Sequence, residues 1–323
     1  MRRREFVGFL PAGLMAAAHP AFSQATGKRV QVGVLITSAP PHPLPDALRQ
    51  GMRGLGYVEG ENIAFVARYA DGSSERAAEL AQELVRLGVD VIVASQTPAA
   101  RAAKEATPTV PIVMGGAGAP VETGLVASLN RPGGNITGVT DLAAELGPRR
   151  LQFLKDIVPN LTRVAALASS HDLFTRPFLQ YMESAAAQSG LGIEAIKVSD
   201  PAEFELAFAS MALAKAQAVV IQGIFNPKRS ITLHLAARHH LPVVTWDRDT
   251  TAAGGLFSLS ADRSELFQRT AALVDKILKG AKPSDLPVEQ PTTYALEINL
   301  KTARSLGLII PRAMVIQATE VFE

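Results

Sequence analysis

Val89 Asp90 Val91 Ile92 Val93 Ala94 Ser95 Gln96 Thr97 Pro98 Ala99 decides the fold class. A short β-branched run, too brief for a helix, breaks into small polar residues, and Thr97 ahead of Pro98 then opens a new helix expected to reach Ala106. On its other side, Gly88 stops a helix expected over Ser73 to Leu87. Helix, apolar strand, polar strand-end loop, helix: this unit builds a parallel sheet covered on both faces.

The unit recurs in two series. The first has strands expected at Val30 to Ile36, Ile63 to Tyr69, Val89 to Ala94, Pro111 to Met114 and Asn135 to Val139, with helices at Pro45 to Gly56, Ser73 to Leu87, Pro98 to Ala106 and Pro120 to Leu129. The second has strands at Arg163 to Ser169, Gly192 to Val198, Ala218 to Ile221 and Leu241 to Thr245. They interleave with helices at Gly147 to Ile157, Arg176 to Ser189, Pro201 to Ala214 and Pro227 to His239. Beyond them lie a strand at Leu256 to Leu259, a helix at Arg263 to Lys279 and a Pro-rich run from Pro283 to Pro291. A tail of that length after a completed second sheet is expected to return to the first lobe and cross again. The expected division is residues 28–139 with 254–288 for one lobe and 140–253 with 289–323 for the other. Two lobes joined by several crossings make a hinge, with a closable cleft where the strand-end loops face each other.

Composition narrows the functional classes. The 323 residues are 47% hydrophobic, carry a formal net charge of +2 and contain no cysteine. The balance implies no polyanion partner, and the missing cysteine excludes disulfides, thiolate catalysis and a lipid-modified anchor cysteine. The chain opens Met1 Arg2 Arg3 Arg4 Glu5 Phe6 Val7, continues with an apolar run to Ala18, and offers Ser23 Gln24 Ala25 as a cleavage site. This reads as a twin-arginine-like secretory signal over residues 1–25, giving a soluble periplasmic protein. An uncleaved membrane anchor is opposed by Pro11, His19 and Pro20, which interrupt a run already short of the ~20 residues of a bilayer span.

No catalytic, cofactor or metal constellation emerges. Gly115 Gly116 Ala117 Gly118 lacks the G-x-G-x-x-G spacing of a dinucleotide site and suits a ligand approach or a tight turn. There is no G-x-S-x-G elbow; Ser169 Ser170 His171 Asp172 sets serine, histidine and acid side by side, whereas triads draw on distant segments. His234, His239 and His240 lack the spacing of metal ligands on one helix face. Candidate ligand-binding residues are therefore those of the strand-end loops: Thr37, Ser38, Ser95, Gln96, Thr97, Ala99, Gly116, Ala119, Thr140 and Asp141 from the first series, and Ser169, His171, Phe174, Phe225, Asn226, Trp246 and Asp247 from the second. The helix start at Ser95 to Thr97 has free N–H groups suited to an anion, although Thr97 also serves as a plain cap. Trp246, the single tryptophan, suits an amphipathic ring laid over a ligand.

Gly51 to Gly60 (GMRGLGYVEG), Glu83 to Val93, Leu125 to Val139 (LVASLNRPGGNITGV), Ala252 to Leu256, Leu286 to Pro291 and Ile298 to Ala303 together resemble the ABC-transporter substrate-binding proteins of the tryptophan/tyrosine-binding-like group. The resemblance implies a type I periplasmic binding protein, with two Rossmann-like lobes joined by three crossings, and a receptor that hands a small molecule to an ABC permease in the inner membrane without transforming it. Members with a known ligand favour aromatic amino acids, and their pattern after the fourth strand reads Asp-Pro. Here Ala119 precedes Pro120. An unmatched ammonium in a closed cleft costs several kcal/mol, so the missing carboxylate argues against a plain α-amino acid and for an aromatic or branched carboxylate without an amine, unless Asp141, Asp172 or Asp247 substitutes. The sensor half of cytosolic repressors shares the fold but needs a DNA-binding module ahead of the first lobe. An exported sensor feeding a signalling partner and a secreted hydrolase are rival expectations for an exported α/β protein. A receptor that hinges is expected to be a monomer.

Overall fold

The computed structural model describes residues 29–142 and 145–323. The expected signal over residues 1–25 lies outside the described residues. In the first lobe β1 (Val30–Ile36), β2 (Ile63–Tyr69), β3 (Val91–Ser95), β4 (Ile112–Ala117) and β5 (Ile136–Thr140) form one sheet in the order β2-β1-β3-β4-β5. Every pairing in it is parallel. Strands β3 and β4 are buried at every position, as continuous Val, Ile and Ala runs require when helices cover both faces. Those helices are α1 (Leu44–Gly54), α2 (Ser74–Arg86) and α3 (Gln96–Ala106).

The helix expected over Pro120 to Leu129 does not form. Its N–H groups close turns instead: Thr123 donates to the Ala119 carbonyl, and Leu125 and Val126 both donate to that of Pro120. Gly124 turns left-handed at φ +71°, which breaks a helical ladder and folds Leu125 and Val126 into the core.

The second lobe holds β6 (Arg163–Ser169), β7 (Gly192–Val198), β8 (Val219–Ile221), β9 (Val243–Thr245), β10 (Phe257–Ala261), β11 (Tyr294–Asn299) and β12 (Glu320–Phe322). Their order is β12-β11-β10-β9-β8-β6-β7, parallel except where β11 runs against β10. Around the sheet lie α4 (Gly147–Ile157), α5 (Thr175–Ser189), α6 (Phe204–Leu213), α7 (Arg229–Arg238) and the short α8 (Arg248–Ala252). The chain then gives α9 (Arg263–Leu278), α10 (Leu300–Ser305) and α11 (Arg312–Gln317).

Two expected lobe boundaries are corrected. Strand β10 pairs with β9 and β11, so the return to the first lobe begins with α9 at Arg263 and not at residue 254. Thr140 completes β5 and belongs to the first sheet. Helix α9 then packs Leu266, Ala271, Val274 and Ile277 into the first-lobe core with Val32, Val34, Leu48 and Met52. The chain thus crosses between lobes three times, near Asp141, at Asp262 and over residues 289–293.

These crossings are tied to one another. Thr140 N–H donates to the Glu289 carbonyl (2.9 Å), Glu289 N–H to that of Gly138 (2.8 Å) and Asp262 N–H to that of Thr293 (3.1 Å). Glu265, in the first turn of α9, accepts from the backbone N–H groups and hydroxyls of both Thr292 and Thr293. Those donors, the Thr293 hydroxyl foremost and Arg269 also among them, hold its carboxyl well below the usual carboxylate range.

Candidate functional site

A cavity of about 370 Å³ lies between the lobes, walled by strand-end loops, the crossings and the first turns of the helices that follow them. The first lobe supplies Thr37, Ser38 and the Pro40–Pro43 loop after β1, Asp71 after β2, Ser95 and Gln96 at the end of β3, Gly115 and Gly116 of β4, and Asp141 after β5. From the second come Gly223, Ile224, Asn226, Arg229 and Ser230 after β8, and Trp246, Asp247 and Asp249 after β9. Ser260, Ala261, Arg263, Leu266 and Phe267 close it at the crossings. A narrow recess of about 30 Å³ continues from it between Thr97, Gly118, Asp172, Phe174 and Gln222.

The lobes meet around this recess. Gly118 is needed there: a Cβ on it would stand 2.5 Å from Phe174 Cε2 in the other lobe. On the outer rim the Tyr181 hydroxyl donates to Glu122 at 2.9 Å, again across the lobes. From Phe174 the aromatic rings continue inward through Phe178 (6.2 Å between centroids) to Trp246 (5.5 Å). Buried Arg150 lies 4.7 Å from the Trp246 ring centre and donates its Nε and Nη2 hydrogens to the Leu259 carbonyl. Burial lowers its pKa to about 10, against the pull of Asp141 and Glu145.

Of the residues expected from sequence, Thr37, Ser38, Ser95, Gln96, Gly116, Asp141, Asn226, Trp246 and Asp247 line the cavity, and Thr97 and Phe174 the recess. Several are occupied within the protein. The Thr37 N–H donates to Ser95 Oγ (3.1 Å) and the Thr37 hydroxyl to the Ser95 carbonyl (2.9 Å), which joins β1 to β3. Thr97 Oγ1 pairs with both backbone groups of Gly118. Asp247 caps α8 through Thr250 and forms an ion pair with Arg263 at 2.6 Å.

Six expected residues lie elsewhere. Ala99 is one turn into α3 and faces the first-lobe core. Ala119 packs on the second-lobe core, so this position offers nothing to the cavity. Thr140 is buried at the end of β5, its hydroxyl without a hydrogen-bond partner among the described residues. Ser169 is held by Gln222 and Thr175, His171 is exposed outside the cavity, and Phe225 packs edge-on against Phe204 at 5.2 Å.

Sequence reasoning missed His42 and Arg229. His42 Nδ1 accepts the Leu44 N–H at 3.2 Å, which caps the start of α1 and leaves the ring proton on Nε2. Burial, then nearby Arg263, pushes its pKa down to about 4, so the ring is neutral. Asp172 shifts the other way: burial raises it to about 6, partly offset by the Phe174 N–H it accepts, and Gln222 donates to its other oxygen at 2.8 Å.

The profile of the family described as ABC transporter substrate binding protein matches residues 30–322. The chain belongs to this family. As one of these non-enzymatic substrate-binding proteins, it resembles a conserved domain protein from Vibrio cholerae (28% identity, TM-score 0.83, covering 91% of this chain and 100% of that one). It is similar also to a Streptococcus pneumonia ABC domain solved in complex with L-Trp (26%, TM-score 0.82, 91% and 100%). A tyrosine-binding protein of Clostridioides difficile is 23% identical over 292 residues, 88% of this chain and 84% of its own length. The fold is that of the type I periplasmic binding proteins. Among the described residues no helix is long and apolar enough to cross a membrane, and no group of three or more acids and histidines is placed to hold a metal ion.

Proposed function

We propose that this chain is the soluble periplasmic receptor of an ABC uptake transporter, a monomer whose lobes close over an aromatic α-amino acid and present it to a permease. One observation carries the reading: the cavity between the lobes is lined by polar strand-end residues of both, with Trp246 on one side and Asp141 at the junction of cavity and recess. The Trp-bound and tyrosine-binding relatives support the aromatic class. The missing Asp before Pro120 no longer argues against an amine, because Asp141 brings a carboxylate to the cavity wall from the end of β5. A ligand touching both lobes favours closure by the contacts it makes only there.

The test is Trp246 fluorescence and thermal melting against tryptophan, tyrosine, phenylalanine and their amine-free acids. Saturable quenching or enhancement with a melting shift of several degrees is expected for the amino acids. Tighter binding of the amine-free acids overturns the amino-acid assignment, and no response to either series overturns the aromatic class. Deletion of the gene is expected to abolish uptake; loss of a transcriptional response alone would make the chain a sensor.

A further inference from the structure

We infer that Arg229 receives the ligand's carboxylate and is the residue that makes the site select acids over their amides. The inference rests on the receptor reading above. Two guanidinium groups line the cavity and a third, Arg150, lies behind Trp246. Arg263 is paired with Asp247 at 2.6 Å, and Arg150 is committed to the Leu259 carbonyl and the indole face. Arg229 differs. Half-buried at the start of α7, it makes one long hydrogen bond, Nη1 to the Asn226 carbonyl at 3.3 Å, and no ion pair among the described residues.

A planar guanidinium fork left with unused N–H donors in a shielded cavity matches a carboxylate bidentately, which an ammonium or an amide of the protein does not. Its position also fits closure. Arg229 belongs to the second lobe, whereas Asp141 follows β5 of the first, so a zwitterion held between them is bonded to both lobes through its head group alone. Closure then depends on the two charges of the ligand, and the aromatic ring is read separately by Trp246.

The experiment titrates the mature protein and its Arg229→Gln and Arg229→Lys variants with L-tryptophan, L-tyrosine, L-phenylalanine and their carboxamides. Wild type is expected to prefer acid over amide by ~100-fold, Arg229→Gln to bind the two within a few-fold, and Arg229→Lys to fall between them. Undiminished acid preference in Arg229→Gln overturns the assignment alone and moves the carboxylate to another donor set, such as the start of α3. Absence of any response from wild type overturns the aromatic amino-acid reading on which the assignment rests, and the assignment with it. Should Arg229→Gln fail to fold, Arg229→Lys decides: it keeps the charge without the fork, and an unaltered acid-to-amide ratio in it counts against the assignment.

Discussion

Replacing Gly118 by alanine tests whether the contact between the lobes belongs to closure. The new Cβ would lie 2.5, 2.8 and 2.9 Å from three carbons of the Phe174 ring. Ordinary carbon contacts are about 3.5–4.0 Å, so the lobes must part by roughly 1 Å or the ring must move. Phe174 is buried and backed by Phe178, which limits the second escape. Overpacking of this kind costs about 1–3 kcal/mol. Because Gly118 and Phe174 sit on different lobes, the cost falls on the closed arrangement, and affinity should drop by about 5- to 150-fold. Each lobe keeps its own core, so the melting temperature of the ligand-free protein should change little. Calorimetric titration of the amino acid beside a ligand-free thermal melt measures both quantities, and Phe174→Leu placed on Gly118→Ala should restore most of the affinity. If the ligand-free melt falls while affinity holds, the ring contact is permanent packing and the reasoning is wrong.

Acid titration separates His42 from the rest of the chain. Its folded pKa of about 4 lies below the ordinary 6.5, so between those values the unfolded chain binds more protons and stability falls as pH is lowered. Asp172, raised from 3.8 to about 6, acts with the opposite sign, so the useful quantity is the difference between wild type and His42→Asn, whose side chain can still accept the Leu44 N–H. That difference in melting temperature should change steadily between pH 6.5 and pH 4; parallel curves would sink the assignment. Glu265→Gln should lower the melting temperature by a few degrees at neutral pH by weakening the clasp on Thr292 and Thr293. Since the native carboxyl titrates below its ordinary range, the stability it adds is present at neutral pH and lost in acid, so wild type and variant should converge there. An unchanged melt at neutral pH would count against the clasp.

How much was legible in the sequence follows from what each feature depends on. The runs at Val30 to Ile36 and Val89 to Ala94 read as strands, the second observed at Val91–Ser95, because strands covered on both faces are predominantly apolar. The strand-end loops followed, and with them nine of the residues that line the cavity, because ligands in such sheets bind beyond the carboxyl ends of strands. Partnership was not legible. Leu256 to Leu259 reads as a strand, but nothing local says that β9 will pair with it, and so the return to the first lobe was expected too early. The Pro120 to Leu129 segment has helical composition, yet Gly124 at positive φ and the demand for Leu125 and Val126 in the core override it. Ala99, Phe225 and Ala119 neighbour cavity residues in sequence, but rotation along the chain turns them into cores. His42 and Arg229 were missed because one sits in a proline loop and the other opens a helix, positions that ordinarily face water. The signal available for His42 was the Thr37 to Pro43 connection after β1, slightly longer than the ~2–6 residues usual for such loops, and nothing local marked Arg229.

The late return of α9 to the first lobe bears on how the protein must fold. Residues 29–140 carry all five strands of that sheet, yet the apolar side formed by Val32, Val34, Leu48 and Met52 is covered only when Leu266 to Ile277 arrive. Contacts between α1 and α9 join segments more than two hundred positions apart, a high contact order that slows folding and leaves sticky surface open meanwhile. A fragment ending at Thr140 should therefore aggregate, not stand as an independent domain. A circular permutant that places α9 directly before β1 would shorten that search.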